Sequence, residues 1–257
     1  MGIHPRLIDA HSHFDDERFD SDRPQALERA RAVGIQEQII PAIKKVWWPR
    51  IKQLCLTTPG LYPSYGLHPM FLGDHQEEDL TELHQWLIHE APVAIGECGL
   101  DFAIQNPLPE QQQLFFEAQL QLALEFDLPV IIHARRSVEA VIHTLRRYPG
   151  IRGMLHSYSG SEQQARQLID MGFYLSFGGP ITYMRAKRLQ RMVENLPLES
   201  LLLETDSPDQ PGCDHPNSRN EPSFLTEVLN QVARLRNQPI ERVANQILNN
   251  AHALFRL

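Results

Sequence analysis

The chain is poor in cysteine, in long apolar runs and in positive charge, and each shortage closes off a class of protein. Cys55, Cys98 and Cys213 are its only cysteines, odd in number and without Cys-x-x-Cys spacing. They argue against a disulfide framework or a thiolate zinc cluster and for a reduced compartment, so the cytoplasm is the expected location. No apolar run approaches the ~18–20 residues that a membrane span needs. Asp9 and the histidines around it interrupt any signal-like apolar core near the start. No membrane association is expected, and nothing points to an obligate protein partner. Lysine and arginine total 24 against 32 aspartates and glutamates, a formal charge of −8. Net charge therefore lends nucleic acid no support, although bound divalent cations could offset clustered acids locally. A Gly-rich phosphate loop and a Gly-x-Ser-x-Gly elbow are missing too, which removes P-loop nucleotide hydrolysis and serine-hydrolase chemistry.

What is present is a repeating unit: a short apolar strand, a polar turn carrying His, Asp or Glu, then an amphipathic helix. The pattern predicts strands at about 7–9, 38–42, 61–67, 93–97, 129–133, 153–156, 173–177 and 201–206. Helices are expected near 23–33, 48–58, 77–90, 110–126, 137–148, 161–171, 184–195, 222–236 and 240–255, with Gly34 and Ser161 as capping residues. Pro41 is awkward inside a sheet and belongs where pairing ends. Continuous Val/Ile/Leu runs suit parallel strands covered on both faces. Eight such units in 257 residues predict one α/β domain over 1–257, a (β/α)8 TIM barrel. A doubly wound open sheet is the alternative.

The position of the polar residues within the repeat carries the functional reading. His11 and His13 are two apart, so on a strand they would face the same way. Taken singly, the pair is an ordinary surface or capping feature. But Glu97, His133, His156 and Asp206 also stand at strand ends, and a barrel brings those ends to the rim where barrel enzymes keep their sites. Singly, Glu97 could sit in a core salt bridge, His133 and His156 could be hydrogen-bonded core histidines, and Asp206 could cap a turn. Five strands ending this way make a metal site the better joint reading. Imidazole and carboxylate ligands suit zinc, with iron, manganese or magnesium as alternatives. Six ligands exceed the needs of one tetrahedral ion, so two ions per subunit, bridged by a carboxylate such as Glu97, are expected. His68 at the third strand's end, Arg135 and Arg219 are candidate substrate-binding residues. Their ordinary alternatives are a turn, a solvated helix start and a helix N-terminus. Trp47-Trp48 reads as packing at a helix start, and Cys98 as a small buried filler.

Asp9-Ala10-His11-Ser12-His13, Gly66-Leu67-His68-Pro69, Gly96-Glu97-Cys98-Gly99-Leu100-Asp101, the strand ending in His133, His156-Ser157-Tyr158-Ser159-Gly160, Glu204-Thr205-Asp206-Ser207-Pro208 and Arg219-Asn220-Glu221-Pro222 together resemble the TatD family of metal-dependent hydrolases. The resemblance covers essentially the whole chain. It implies an amidohydrolase-type barrel, a divalent two-metal centre and metal-dependent DNase activity. It further implies that His11, His13, Glu97 and Asp206 hold one ion, and Glu97, His133 and His156 the other. Many members carry a second histidine after Gly-x-His-Pro, where this chain has Met70. The expected reaction is hydrolysis of an ester, foremost a phosphodiester in DNA, with Asp206 and Glu97 as the catalytic carboxylates. A small phosphoester, lactone or amide is the alternative substrate, and a metal-stabilised scaffold without activity is the third reading.

Overall fold

The structure, a computed structural model, describes residues 5–257. Its elements follow the chain as β1 (Leu7–Asp9), α1 (Arg23–Ala32), β2 (Ile35–Pro41), α2 (Trp48–Thr57), β3 (Leu61–Tyr65), α3 (Glu78–His89), β4 (Ala94–Asp101), α4 (Pro109–Glu125), β5 (Val130–Arg135), α5 (Val138–Leu145), β6 (Gly153–Leu155), α6 (Glu162–Asp170), β7 (Tyr174–Phe177), α7 (Lys187–Asn195), β8 (Leu201–Leu203), α8 (Leu225–Arg236) and α9 (Ile240–Phe255). The strands form one eight-stranded sheet in the order β1 to β8, and the defined pairings are parallel. β8 also returns to β1, because the Ala10 amide donates to the Leu203 carbonyl at 3.0 Å. An open doubly wound sheet would leave these two strands as edges, so that alternative falls and the (β/α)8 class stands.

Two compact units can be told apart by packing, one of residues up to Ile40 with Leu175–Leu257, the other Pro41–Tyr174. In the first, Leu7, Ile8, Ile39, Leu175, Leu202 and Ile247 are fully or almost fully buried, and α8 packs on α7 and α9. Asn250 of α9 donates to the carbonyls of Leu198 and Leu201, both at 2.8 Å, tying the helix to the start of β8. In the second unit, Ile95, Phe116, Ile131, Ile132 and Leu155 form the buried centre. Each such side chain contributes about 1.5–3 kcal/mol by leaving water. Trp48 is buried against Tyr65 and Trp86 and donates to the Gly66 carbonyl at 3.2 Å, as expected of a packing residue. No helix among the described residues is long and apolar enough to cross a membrane.

The expected boundaries shift most where the site is built. β4 does not stop at Glu97 but runs to Asp101, because Cys98 to Asp101 continue in register with Ile132 to Arg135 of β5. The register shifts between Ile95 and Cys98, at Gly96 with φ +151°. A side chain at Gly96 would come within 2.7 Å of the Ile131 carbonyl oxygen, so this bend requires glycine. β8 ends at Leu203 rather than 206 and frees Glu204 to Asp206 as loop. β2 ends at Pro41, where the ring removes a ladder donor. α6 opens on a full capping box between Ser161 and Gln164.

Candidate metal centre

The first ligand set lies where β1 and β8 end. The Asp206 amide donates to the His11 carbonyl at 2.9 Å, and the His13 amide donates to the Ser207 carbonyl at 2.8 Å. Ser12 and Ser207 hydroxyls meet at 2.9 Å between these bonds. Asp9 is fully buried beneath them and accepts from the Thr205 amide at 2.9 Å and the Thr205 hydroxyl at 2.6 Å. Burial pushes the Asp9 carboxyl up to about 8, against those hydrogen bonds, which lower it. The frame brings His11 Nε2 to 3.3 Å from His13 Nε2, with Asp206 Oδ1 at 3.4 Å from the former and 3.6 Å from the latter. Asp206 Oδ2 accepts a hydrogen bond from the Gln210 amide group.

The second set is built on β3 to β6 around one carboxylate. Glu97 is buried on β4, and its Oε1 lies 2.8 Å from His156 Nε2, 2.9 Å from His68 Nε2 and 3.1 Å from His133 Nδ1. His133 Nδ1 and His156 Nε2 are themselves 3.1 Å apart. The far nitrogen of His133 donates to Asp101 Oδ2 at 2.9 Å, which fixes the tautomer and leaves Nδ1 as the lone-pair face. Burial opposes a charge on His133, but the bonds to Asp101 and Glu97 outweigh it and raise its pKa. His68 is locked the other way. Its Nδ1 accepts from the Met70 amide at 3.0 Å, so its Nε2 carries the hydrogen and donates to Glu97. Burial above all drops the His68 pKa to about 4, so the ring is neutral.

Both sets suit a divalent cation. Tetrahedral ligands at the ~2.0–2.1 Å usual for imidazole and carboxylate are separated by about 3.3–3.4 Å, and the first triangle has edges of 3.3, 3.4 and 3.6 Å. The second triangle of Glu97, His133 and His156 is tighter, at 2.8, 3.1 and 3.1 Å. That approaches the ~3.0 Å edge of a six-coordinate ion at similar bond lengths. When His133 is neutral its proton goes to Asp101, and its Nδ1 lone pair then faces the Glu97 oxygen at 3.1 Å, two donors to a cation that would also take His156 Nε2.

The structure thus brings His11, His13 and Asp206 into one set and Glu97, His133 and His156, with His68, into the other. Arg135 is exposed, with its guanidinium 3.8 Å from Asp101. Arg219 stands differently from an anion-binding residue. It makes a bidentate pair with Asp22 at 2.6 and 2.8 Å, donates to the Arg18 carbonyl at 2.7 Å and lies over the Phe19 ring. Its charge is already neutralised, and its work is to hold the loop after β8. Sequence reasoning missed Asp101 and Gln210. Asp101 was detectable: on a strand that continues to 101, positions 97, 99 and 101 share a face. Gln210 carries no sequence signal.

Comparison with known proteins agrees with this reading. Residues 8–256 match the family model described as TatD related DNase. The chain is 38% identical over 253 residues to "uncharacterized metal-dependent hydrolase YjjV" of Escherichia coli K12, covering 97% of this chain and 98% of that one. It is 34% identical to a "3'-5' ssDNA/RNA exonuclease TatD" of Edwardsiella piscicida, over 98% of this chain and all of the other. The crystal structure of E. coli YjjV superposes with a TM-score of 0.94, covering 98% of both chains.

Proposed function

Since the chain belongs to the TatD-related DNase family of metal-dependent hydrolases, we propose that it cleaves phosphodiester bonds in single-stranded nucleic acid. The observation that carries the reading is Glu97, a buried carboxylate oxygen with three imidazole nitrogens within 3.1 Å. We assign one ion to His11, His13 and Asp206 and a second to Glu97, His133 and His156. Zinc suits the wider first set; the tighter second set, two imidazoles and a carboxylate, also suits iron or manganese. The whole chain, 1–257, is taken as one catalytic domain because the family model spans nearly all of it. Its free cysteines suit the reducing cytoplasm.

Divalent cations bound there would supply Lewis acidity toward a phosphoryl oxygen and toward the attacking water. The chain's own groups prepare the rest. Asp206 holds its Oδ1 toward His11 and His13, where it would ligate the ion, and its Oδ2, beside the Gln210 amide, keeps a lone pair that would take the proton from the attacking water. Asp101 keeps the His133 tautomer, and His68 donates its one hydrogen to Glu97 to hold that carboxylate's orientation. Arg135 is exposed beside Asp101, and we assign it the substrate role, toward a phosphate.

The test is a substrate panel on metal-loaded protein: a labelled single-stranded oligonucleotide, its duplex, bis(p-nitrophenyl) phosphate, a lactone and a small amide. Cleavage of the single strand well above the duplex, abolished by chelator and by His133→Ala, is expected. Turnover of the small esters with intact oligonucleotide would move the assignment to a small-molecule hydrolase.

A further inference from the structure

The chain is acidic overall, yet from Met171 to Val193 it holds four cations, Arg185, Lys187, Arg188 and Arg191, and no carboxylate. This stretch runs through β7 and the loop after it into most of α7, and its cations all lie in that loop and in α7. Among the described residues, Arg185, Lys187 and Arg191 make no ion pair, whereas most other arginines and lysines of the described chain do. Lys187 and Arg191 are four apart on α7 and share a face, where they line a cleft of about 430 Å³ with Arg234 and one acid, Glu194. Three exposed cations without an ion pair, close together on an acidic protein, point to an anionic partner.

A second cleft, of about 400 Å³, opens between the loops after β7 and β8. Tyr183, Arg185 and Gln210 line it together with Pro180, Pro211 and Pro216. Its walls are fixed. The Tyr183 hydroxyl donates to the Pro211 carbonyl at 3.2 Å, the Cys213 amide donates to the Thr182 hydroxyl at 2.8 Å, and a side chain at Gly179 would come within 2.3 Å of the Gln210 carbonyl oxygen. The Arg185 guanidinium lies 5.5 Å over the Tyr183 ring. Gln210 is the link to the first ligand set, since the same side chain bonds Asp206. An aromatic ring backed by an arginine, with proline walls and an amide beside the reacting carboxylate, is the chemistry that receives a nucleobase. Loops after strands seven and eight are also a frequent phosphate-holding place in barrels.

We propose that the loop after β7 and α7 form the channel by which a single-stranded nucleic acid reaches Asp206, a base resting against Tyr183 and Arg185 and the adjoining phosphates against Lys187 and Arg191. The proposal rests on the phosphodiesterase reading above and names the substrate's path. Sequence-independent gripping of this kind releases counterions, so its affinity falls with salt at about 0.7 log per log for each single-strand phosphate contact.

The experiment measures binding and cleavage of a fluorescent dodecathymidylate by metal-loaded protein across a salt series, with variants Tyr183→Ala, Tyr183→Phe and the exposed triple Arg185→Ala/Lys187→Ala/Arg191→Ala. Arg166→Ala, which breaks an exposed helix pair with Glu162, is the control. The triple variant should raise KM about tenfold with kcat nearly constant and flatten the salt slope by about 2. Tyr183→Ala should raise KM similarly and Tyr183→Phe should not. An oligonucleotide with one abasic site near its end should bind the native protein more weakly, and that penalty should vanish in Tyr183→Ala. A triple variant that matches the native protein in KM and slope overturns the channel while leaving the hydrolase reading intact. An equal loss in Arg166→Ala also overturns it. A native protein that neither binds nor cuts the oligonucleotide overturns both. The triple variant decides the matter even where Tyr183→Ala disturbs its loop.

Discussion

The two ligand sets are built by opposite means. His11, His13 and Asp206 are carried by loop residues just past β1 and β8, and backbone hydrogen bonds between the two loops fix their spacing. Glu97 and His133 sit inside β4 and β5, on backbone held in sheet register, and their side chains are aimed by other side chains, Asp101 and His68. The first set has wide edges and the second is tighter, and each has one half-buried histidine, His13 and His133. A loop-borne set can breathe to accept or release an ion. Glu97 and His133 cannot move without moving their strands, so they are preorganised, and removing the carboxylate leaves three imidazoles facing each other.

That contrast is broken most severely by comparing Glu97→Gln with His13→Ala. Glu97→Gln should lower kcat on the oligonucleotide by about a thousandfold or more, on the scale of losing a central electrostatic group, and strip the second ion. His13→Ala should cost the first ion and leave the second in place. Metal content by mass spectrometry, read beside thermal unfolding, checks both. Loss of both ions from His13→Ala would mean that the sets fill as one unit and that the difference in construction has no energetic consequence.

Asp101→Asn asks a smaller question of the second set alone. The amide keeps the shape but no longer fixes which His133 nitrogen holds the proton. Removing such a partner typically costs about 10–100-fold in metal affinity or activity. Competition with a chromophoric chelator should show that loss at one ion per chain, with the other affinity unchanged. An unaltered second affinity would show that the strand backbone alone orients His133.

The difference in construction also explains what could be read from the residues alone. The alternation of strands and helices and the class of fold were legible, and the six candidate ligand residues could be singled out, because each rests on periodicity or on a residue type at a strand's end. His-x-His is a local pattern, so the first set was visible at once. The candidate ligands of the second set could be singled out but not the residues that support them, because the strand pattern ends at Glu97. The bend at Gly96 and the register with β5 are tertiary facts, and they alone make Asp101 a neighbour of His133. Arg219 read as a free cation because its partner, Asp22, lies 197 positions away. The cation row on α7 was hidden by the opposite error, a net charge that averages over the whole surface.

The smallest expected effect tests the loop side of the contrast. Arg219 holds Asp22 and stands 3.6 Å from Glu221, which Arg29 also grips at 2.6 Å, at the end of the loop that carries Asp206. The Arg219 hydrogen bonds put the Asp22 carboxyl well below the usual carboxylate range; burial would raise Glu221, but Arg29 and Ser223 bonds lower it. A depressed carboxylate pKa contributes stability that is complete above the unfolded value of about 4 and is lost as pH falls through the folded value. Asp22→Asn should therefore cost about 0.5–1 kcal/mol at pH 7, a partly exposed pair being worth no more. The gap to the native protein should narrow below pH 4 and close as Asp22 itself protonates. Urea unfolding of both proteins in chelator, from pH 7 to pH 3, measures this without a contribution from bound metal. A gap that stays constant down the series would mean that the substitution costs stability by packing rather than by charge, and the loop would then be held by shape, as the strands are.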